Sequence, residues 1–237
     1  MNSIVLFAIF PVLSTIAGAA LALVKPPGPL MRSFIQHFAA GVVFSVVGVE
    51  LLPDVVKRHA PPFVILGFVL GMLTMLGIKM TTKKLEDKES QSQAFPTALI
   101  IAVSVDVLLD GFLIGIGFAA GAKEGFLLTA GLTLELLSLG LAVAFELANT
   151  GMSRTRVLGV VSSVSALILF GALVGGAILA HASDIVLETM LSFGLVALLF
   201  LVTEELLTEA HEHPETPITT SAFFVGFLIF LIMGMLA

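Results

Sequence analysis

The chain has 237 residues, a formal net charge of −6, 58% hydrophobic and 12% charged side chains, and a mean hydropathy of +1.12. So apolar a composition excludes a soluble globular domain and leaves an all-α polytopic membrane protein. There is no basic stretch that would serve nucleic acid and no cysteine, so a bound metal would have to be held by oxygen or imidazole. Tyr and Trp are absent as well, which leaves the membrane interfaces to phenylalanine.

A span needs about 20 apolar residues, and the punctuation of the chain predicts eight of them: 3–24, 33–57, 63–80, 95–122, 124–148, 156–180, 184–208 and 217–237. The first, in MNSIVLFAIFPVLSTIAGAALALV, lacks the basic flank and small-residue cleavage site of a removable signal and reads as a span. Span two opens near His37, which reads as a polar interfacial residue, and closes on VELLPDV with Glu50 and Asp54. These two acids could gather cations at a pathway entrance, or Asp54 could pair with Lys57 or Arg58. After span three, KKLEDKESQSQ is the one polar loop of any length, predicted over 81–94.

Span four carries SVDVLLDGFLIG, with Asp106 and Asp110 one helical turn apart on one face. Span five places Glu135 at a similar depth, followed at helical spacing by Ser138, Ala142 and Glu146. Around the aspartates, Gly111 with Gly115 and Gly117 with Gly121 form GxxxG pairs that read as helix-packing surface. Span seven closes on EELLTEA, with Glu205 and Glu209, and runs into TEAHEHPETP, with His211, Glu212, His213 and Glu215. That segment reads either as an acceptor for a cation leaving the pathway or as a solvated acidic turn.

Two patterns organise these spans. With an outward N-terminus the inside connections hold eight basic residues, Lys25, Arg32, Lys79, Lys83, Lys84, Lys88, Arg154 and Arg156, against Lys57, Arg58 and Lys123 outside. The excess predicts both termini outside. The acid-Leu-Leu spacing of Glu50 to Asp54 recurs in Glu205 to Glu209 near the opposite face. Opposed copies suggest an inverted repeat within a single transmembrane domain, 1–237. Residues 1–80 and 149–237 would be the two copies, flanking a central pair over 95–148.

An ionised acid at the centre of a span costs about 2.5–3.5 kcal/mol, so Asp106, Asp110 and Glu135 would together cost on the order of 8–10 kcal/mol. No lysine or arginine lies near them in the sequence. Protons, water in a cavity or a bound cation must therefore offset the charge, and a cation serves all three acids together. Acids that are protonated and only structural, or that relay protons for another solute, remain the alternatives.

These residues resemble the ZIP (Zrt/Irt-like) family of divalent metal transporters. The window DVLLDG matches the HNxxDG or HNxPEG motif of span four, with Asp106 at the histidine position and Asp110 and Gly111 kept. ELLSLGLAVA in span five places Glu135 at the first ligand, and HFAAGVVFSVVGVELLPD, LVTEELLTEA and FGALVGG are similar to the family in spans two, seven and six. The resemblance implies eight spans, outward termini, a 3+2+3 inverted repeat and a loop after span three. Both motif prolines and every core histidine are missing, and Val107, Leu136, Leu139 and Ile168 stand where a second metal would be bound. The resemblance thus implies a mononuclear site of Asp106, Asp110 and Glu135, with Glu50 and Asp54 at its entrance and Glu205 and Glu209 at its exit, where the residues themselves would add His211 and His213.

The expected function is transport of a divalent cation, Mn, Fe or Zn foremost, by alternating access. No resident cofactor, nucleic-acid partner or enzymatic activity is expected, since nucleotide loops, hydrolytic triads and redox motifs are lacking. The expected surroundings are a lipid bilayer, by default a prokaryotic inner membrane, with a homodimer left open.

Overall fold

The computed structural model describes residues 2–58, 60–89, 96–212 and 216–236. Among these residues, eight helices are long and apolar enough to cross a membrane. They are α1 (Asn2–Val24), α2 (Pro29–Arg58), α3 (Pro61–Glu89), α4 (Thr97–Ala120), α5 (Ala122–Asn149), α6 (Arg154–Leu179), α7 (Asp184–His211) and α8 (Pro217–Leu236). The described residues contain no strand. The protein is an integral membrane protein, since only a helix satisfies its own backbone polar groups inside lipid.

Most boundaries fall within a few residues of their predicted places, and the departures have local causes. Gly28 caps α2 and Pro29 occupies its first turn, where a missing N–H costs nothing, so α2 begins four residues before the predicted span. α3 runs on through 81–89, where a loop was predicted, because Lys, Leu and Glu in KKLEDKE favour helix. The rest of that loop and His213 lie outside the described residues. Two helices change pitch. α2 is π-helical over Val47–Leu51 and α7 over Leu201–Leu206, each on its acid-Leu-Leu motif.

Short connections turn successive helices back on one another, so the α2–α3 and α5–α6 connections lie at opposite ends of the bundle. Helices α2, α5 and α7 have 56%, 61% and 61% of their spanning windows buried, against 17–39% for the others, so these three form the interior. The main packing pairs are α1 on α5, α6 on α4, α8 on α2 and α3 on α7. Lipid is as apolar as leucine, so close van der Waals approach has to hold these pairs together, and small residues permit it. A Cβ at Gly111 would run into the Ile168 carbonyl, and one at Gly171 into the Leu108 carbonyl, so α4 and α6 touch backbone to backbone. Gly18 and Gly140 do the same between α1 and α5, and Gly41 and Gly226 between α2 and α8.

Gly111→Ala is expected to lower stability in detergent by about 1–3 kcal/mol, because backbone and not a movable side chain blocks the added methyl. Gly77→Ala, where a Cβ meets nothing within 4 Å, should raise it by about 0.5–1 kcal/mol through helix propensity. Thermal unfolding of the two variants beside the parent protein checks both signs.

Candidate metal centre

The Gly111 face of α4 is committed to α6, and the aspartate face is turned towards α5. Asp106, Asp110 and Glu135 converge there. One carboxylate oxygen from each lies within 4.8 Å of the other two. Asp110 is 2% and Glu135 1% exposed, while Asp106 is half-buried. Oδ2 of Asp110 and Oε2 of Glu135 have no hydrogen-bond partner. No described lysine or arginine forms an ion pair with any of the three.

Two ionised carboxylates at such a separation repel by about 3–4 kcal/mol at an effective dielectric of ~20. The arrangement therefore calls for positive charge among the three oxygens. A cation with oxygen ligands at ~2.0–2.6 Å bridges opposite ligands up to about 5 Å apart, so the spacing fits one ion. It does not fit two. Val107, Leu136 and Ile168 are fully buried apolar side chains and Leu139 is partly buried in the core, so none of these four positions supplies a ligand for a second ion.

A cavity of about 330 Å³ enters from the α5–α6 end of the bundle. Its wall includes Arg32, Gln36, Ser138, Glu146, Glu209 and Glu212. Ser138 is one turn along α5 from Glu135, so the cavity reaches to within a turn of the centre. Glu205, half-buried in the π-helical turn of α7, stands within electrostatic range of Asp106, Asp110 and Glu135. Its negative charge therefore bears on the centre from the side where the sequence reading put the exit. Glu209 is further out, where it accepts a hydrogen bond from Gln36 Nε2.

His37, expected near the inner interface, is 3% exposed and so is enclosed by protein. Because α2 starts at Pro29, His37 lies two turns inside the helix. Its Nδ1 donates to the Ser33 carbonyl at 2.8 Å, and its ring meets the His211 ring edge-on at a centroid distance of 5.4 Å. The Ser33 hydroxyl donates to the Ala210 carbonyl at 3.1 Å, so the start of α2 is joined to the end of α7. Arg32 lies 3.4 Å over the Phe145 ring at the mouth of the cavity.

At the opposite end, Glu50 is buried with Lys123 Nζ 3.8 Å from its Oε1, and Asp54 pairs with Lys57 at 3.8 Å. Both acids of the expected entrance thus have a lysine beside them. The sequence reading singled out neither Gln36 nor Glu188, which are buried polar residues inside predicted spans. The cost of burial that marked Asp106 would have marked them too. The chain matches no family model and no curated protein.

Asp110→Asn and Glu135→Gln keep shape and remove one charge each. With chelator present, each is expected to leave stability unchanged or raise it by on the order of 1 kcal/mol, because no pairing is lost and like-charge repulsion is. Unfolding midpoints in EDTA check this.

Proposed function

We propose that this protein is a carrier of divalent metal cations of the ZIP type. The observation that carries the reading is the convergence of Asp106, Asp110 and Glu135 inside the bundle with no base among them. Acids retained only for packing would be expected to hydrogen-bond one another or a neighbouring helix. The two bare oxygens, Asp110 Oδ2 and Glu135 Oε2, count against that alternative.

The all-oxygen set suits Mn²⁺, Fe²⁺, Mg²⁺ or Ca²⁺ and accepts Zn²⁺. One ion would be stripped of part of its water by the three carboxylates, with Glu205 adding negative charge from α7. Towards the α5–α6 end the cavity offers Glu209, Glu146 and Glu212 to an ion that leaves. With the N-terminus outside, that end is the cytoplasmic one, and the described conformation is inward-open.

Alternating access needs two related halves, and several features support a 3+2+3 inverted repeat. Exchanging α1–α3 with α6–α8, and α4 with α5, carries the α1–α5 pair onto α6–α4 and the α8–α2 pair onto α3–α7. It also carries Glu50 onto Glu205 and one π-helical turn onto the other. Rocking one set of helices against the other would then expose the centre to each side in turn.

Uptake of Mn²⁺, Fe²⁺, Zn²⁺, Cd²⁺ and Mg²⁺ into proteoliposomes tests the proposal. Saturable uptake of at least one ion is expected, falling to the level of empty liposomes in the Asp106→Asn, Asp110→Asn, Glu135→Gln triple variant. Equal uptake by the parent and the triple variant, or none by folded parent protein, would overturn it.

A further inference from the structure

At the α2–α3 end, away from the open cavity, one more carboxylate is buried without adequate partners. Glu188, in the second turn of α7, is 2% exposed, and neither of its oxygens makes a hydrogen bond. Among the described residues its ion-pair partner is Arg58, at the end of α2, whose Nε lies 3.7 Å from Oε2. Arginine at its best meets a carboxylate with two parallel hydrogen bonds at about 2.7–2.9 Å. Here the guanidinium only covers the carboxylate.

The surroundings of Glu188 are rich in oxygen. Asp184, one turn outward on the same strip of α7, is exposed and shares with Glu188, Arg58 and Phe63 a cavity of about 350 Å³. Ser192, one turn inward, is fully buried, and its Oγ has no partner. From solvent to interior the strip thus presents an exposed carboxylate, a buried carboxylate and a buried hydroxyl. The two carboxylates carry one more negative charge than Arg58 offsets.

We propose that Glu188 and Asp184 form a second divalent-cation site, at the end of the bundle opposite the open cavity, on which Arg58 is a tethered cation that the arriving ion displaces. A small divalent ion approaches a carboxylate oxygen at ~2.0–2.6 Å and satisfies it better than a guanidinium at 3.7 Å. Arg58, already 28% exposed, has solvent to move into. The displacement also undoes a link between α2 and α7, the two helices whose other ends are joined through Gln36 with Glu209 and Ser33 with Ala210. An ion bound at Glu188 would so loosen the closed end. This inference deepens the carrier reading and takes the identity of the ion from it.

The chain has no tryptophan and no tyrosine, so Phe63→Trp places a lone fluorophore in the cavity wall. Titration of that variant in detergent with Mn²⁺, a paramagnetic quencher, is expected to give saturable quenching. Quenching should persist when Asp106→Asn, Asp110→Asn and Glu135→Gln are added, and disappear with Glu188→Gln. Arg58→Gln should bring the midpoint to a roughly tenfold lower Mn²⁺ concentration by removing the competing charge. Asp184→Asn, at an exposed position that puts folding at little risk, should raise the midpoint about as much. Absence of saturable quenching, its survival in Glu188→Gln or its loss with the three central substitutions would overturn the site. An unchanged midpoint in Arg58→Gln would overturn the displacement of the guanidinium. Quenching by protein that takes up no metal in liposomes would leave this site standing and sink the carrier reading.

Discussion

Three carboxylates without a base among them, converging inside the bundle, set the terms for the rest of this structure. Asp110 and Glu135 are almost wholly buried and each leaves an oxygen bare. The hydrophobic effect cannot hold the bundle against that repulsion, because lipid already solvates the apolar side chains. Contact between backbones does it instead. Gly111 and Gly115 bring α4 against α6, Gly18 and Gly140 bring α1 against α5, and the two helices that carry the acids are thereby held from behind. The single residue between α4 and α5, Gly121, ties their ends into a hairpin. Asp106 and Asp110 are fixed on one side of the centre and Glu135 on the other, with little freedom to separate.

The centre was legible in the sequence because its signal is local. Two acids at i and i+4 share a helix face whatever surrounds them, and a third acid at the same depth across a short turn has few other places to point. The eight helices were legible for the same reason, since length and hydropathy decide a span without reference to its neighbours. What the sequence did not show depends on contacts between distant segments. His37 is buried because the end of α7 lies against the start of α2, a contact between residues more than 170 positions apart in the case of Ser33 and Ala210. Glu188 sits in the second turn of a span, where an acid is easily read as interfacial, and only packing by α2 and α3 encloses it. The extension of α3 to Glu89 was local and was missed for a different reason. Charge marked KKLEDKE as a loop, although the same residues are good helix formers.

The π-helical turns fall between these cases. Their motif was visible as an acid-Leu-Leu echo, but nothing in the letters announced a change of pitch. A π turn inserts about one extra residue, re-aiming every side chain beyond it without ending the helix, and such turns gather at functional sites. In α7 this lets Glu205 stand near the central acids while Glu204, its neighbour in sequence, reaches outward to Lys79. In α2 the matching turn buries Glu50 beside Lys123. The same local device therefore serves two different environments.

The contacts that join α2 to α7 likewise differ in kind at the two ends of the bundle. At the α5–α6 end, α2 and α7 meet through Gln36 with Glu209 and a serine hydroxyl on a backbone carbonyl, and a cavity passes beside them. At the α2–α3 end the same helices meet through Arg58 and Glu188, both charged. A cation that reaches Glu209 competes only with a neutral amide donor, which it does not repel. An ion pair responds strongly, because the cation competes for the acid while repelling the base. A cation at the α2–α3 end would therefore act on Arg58 as well as on its acid, and a cation at the cavity end on Glu209 and a neutral donor. The two ends of α2 and α7 thus differ in the charge of the groups that join them, a full ion pair at one and a carboxylate with a neutral amide at the other.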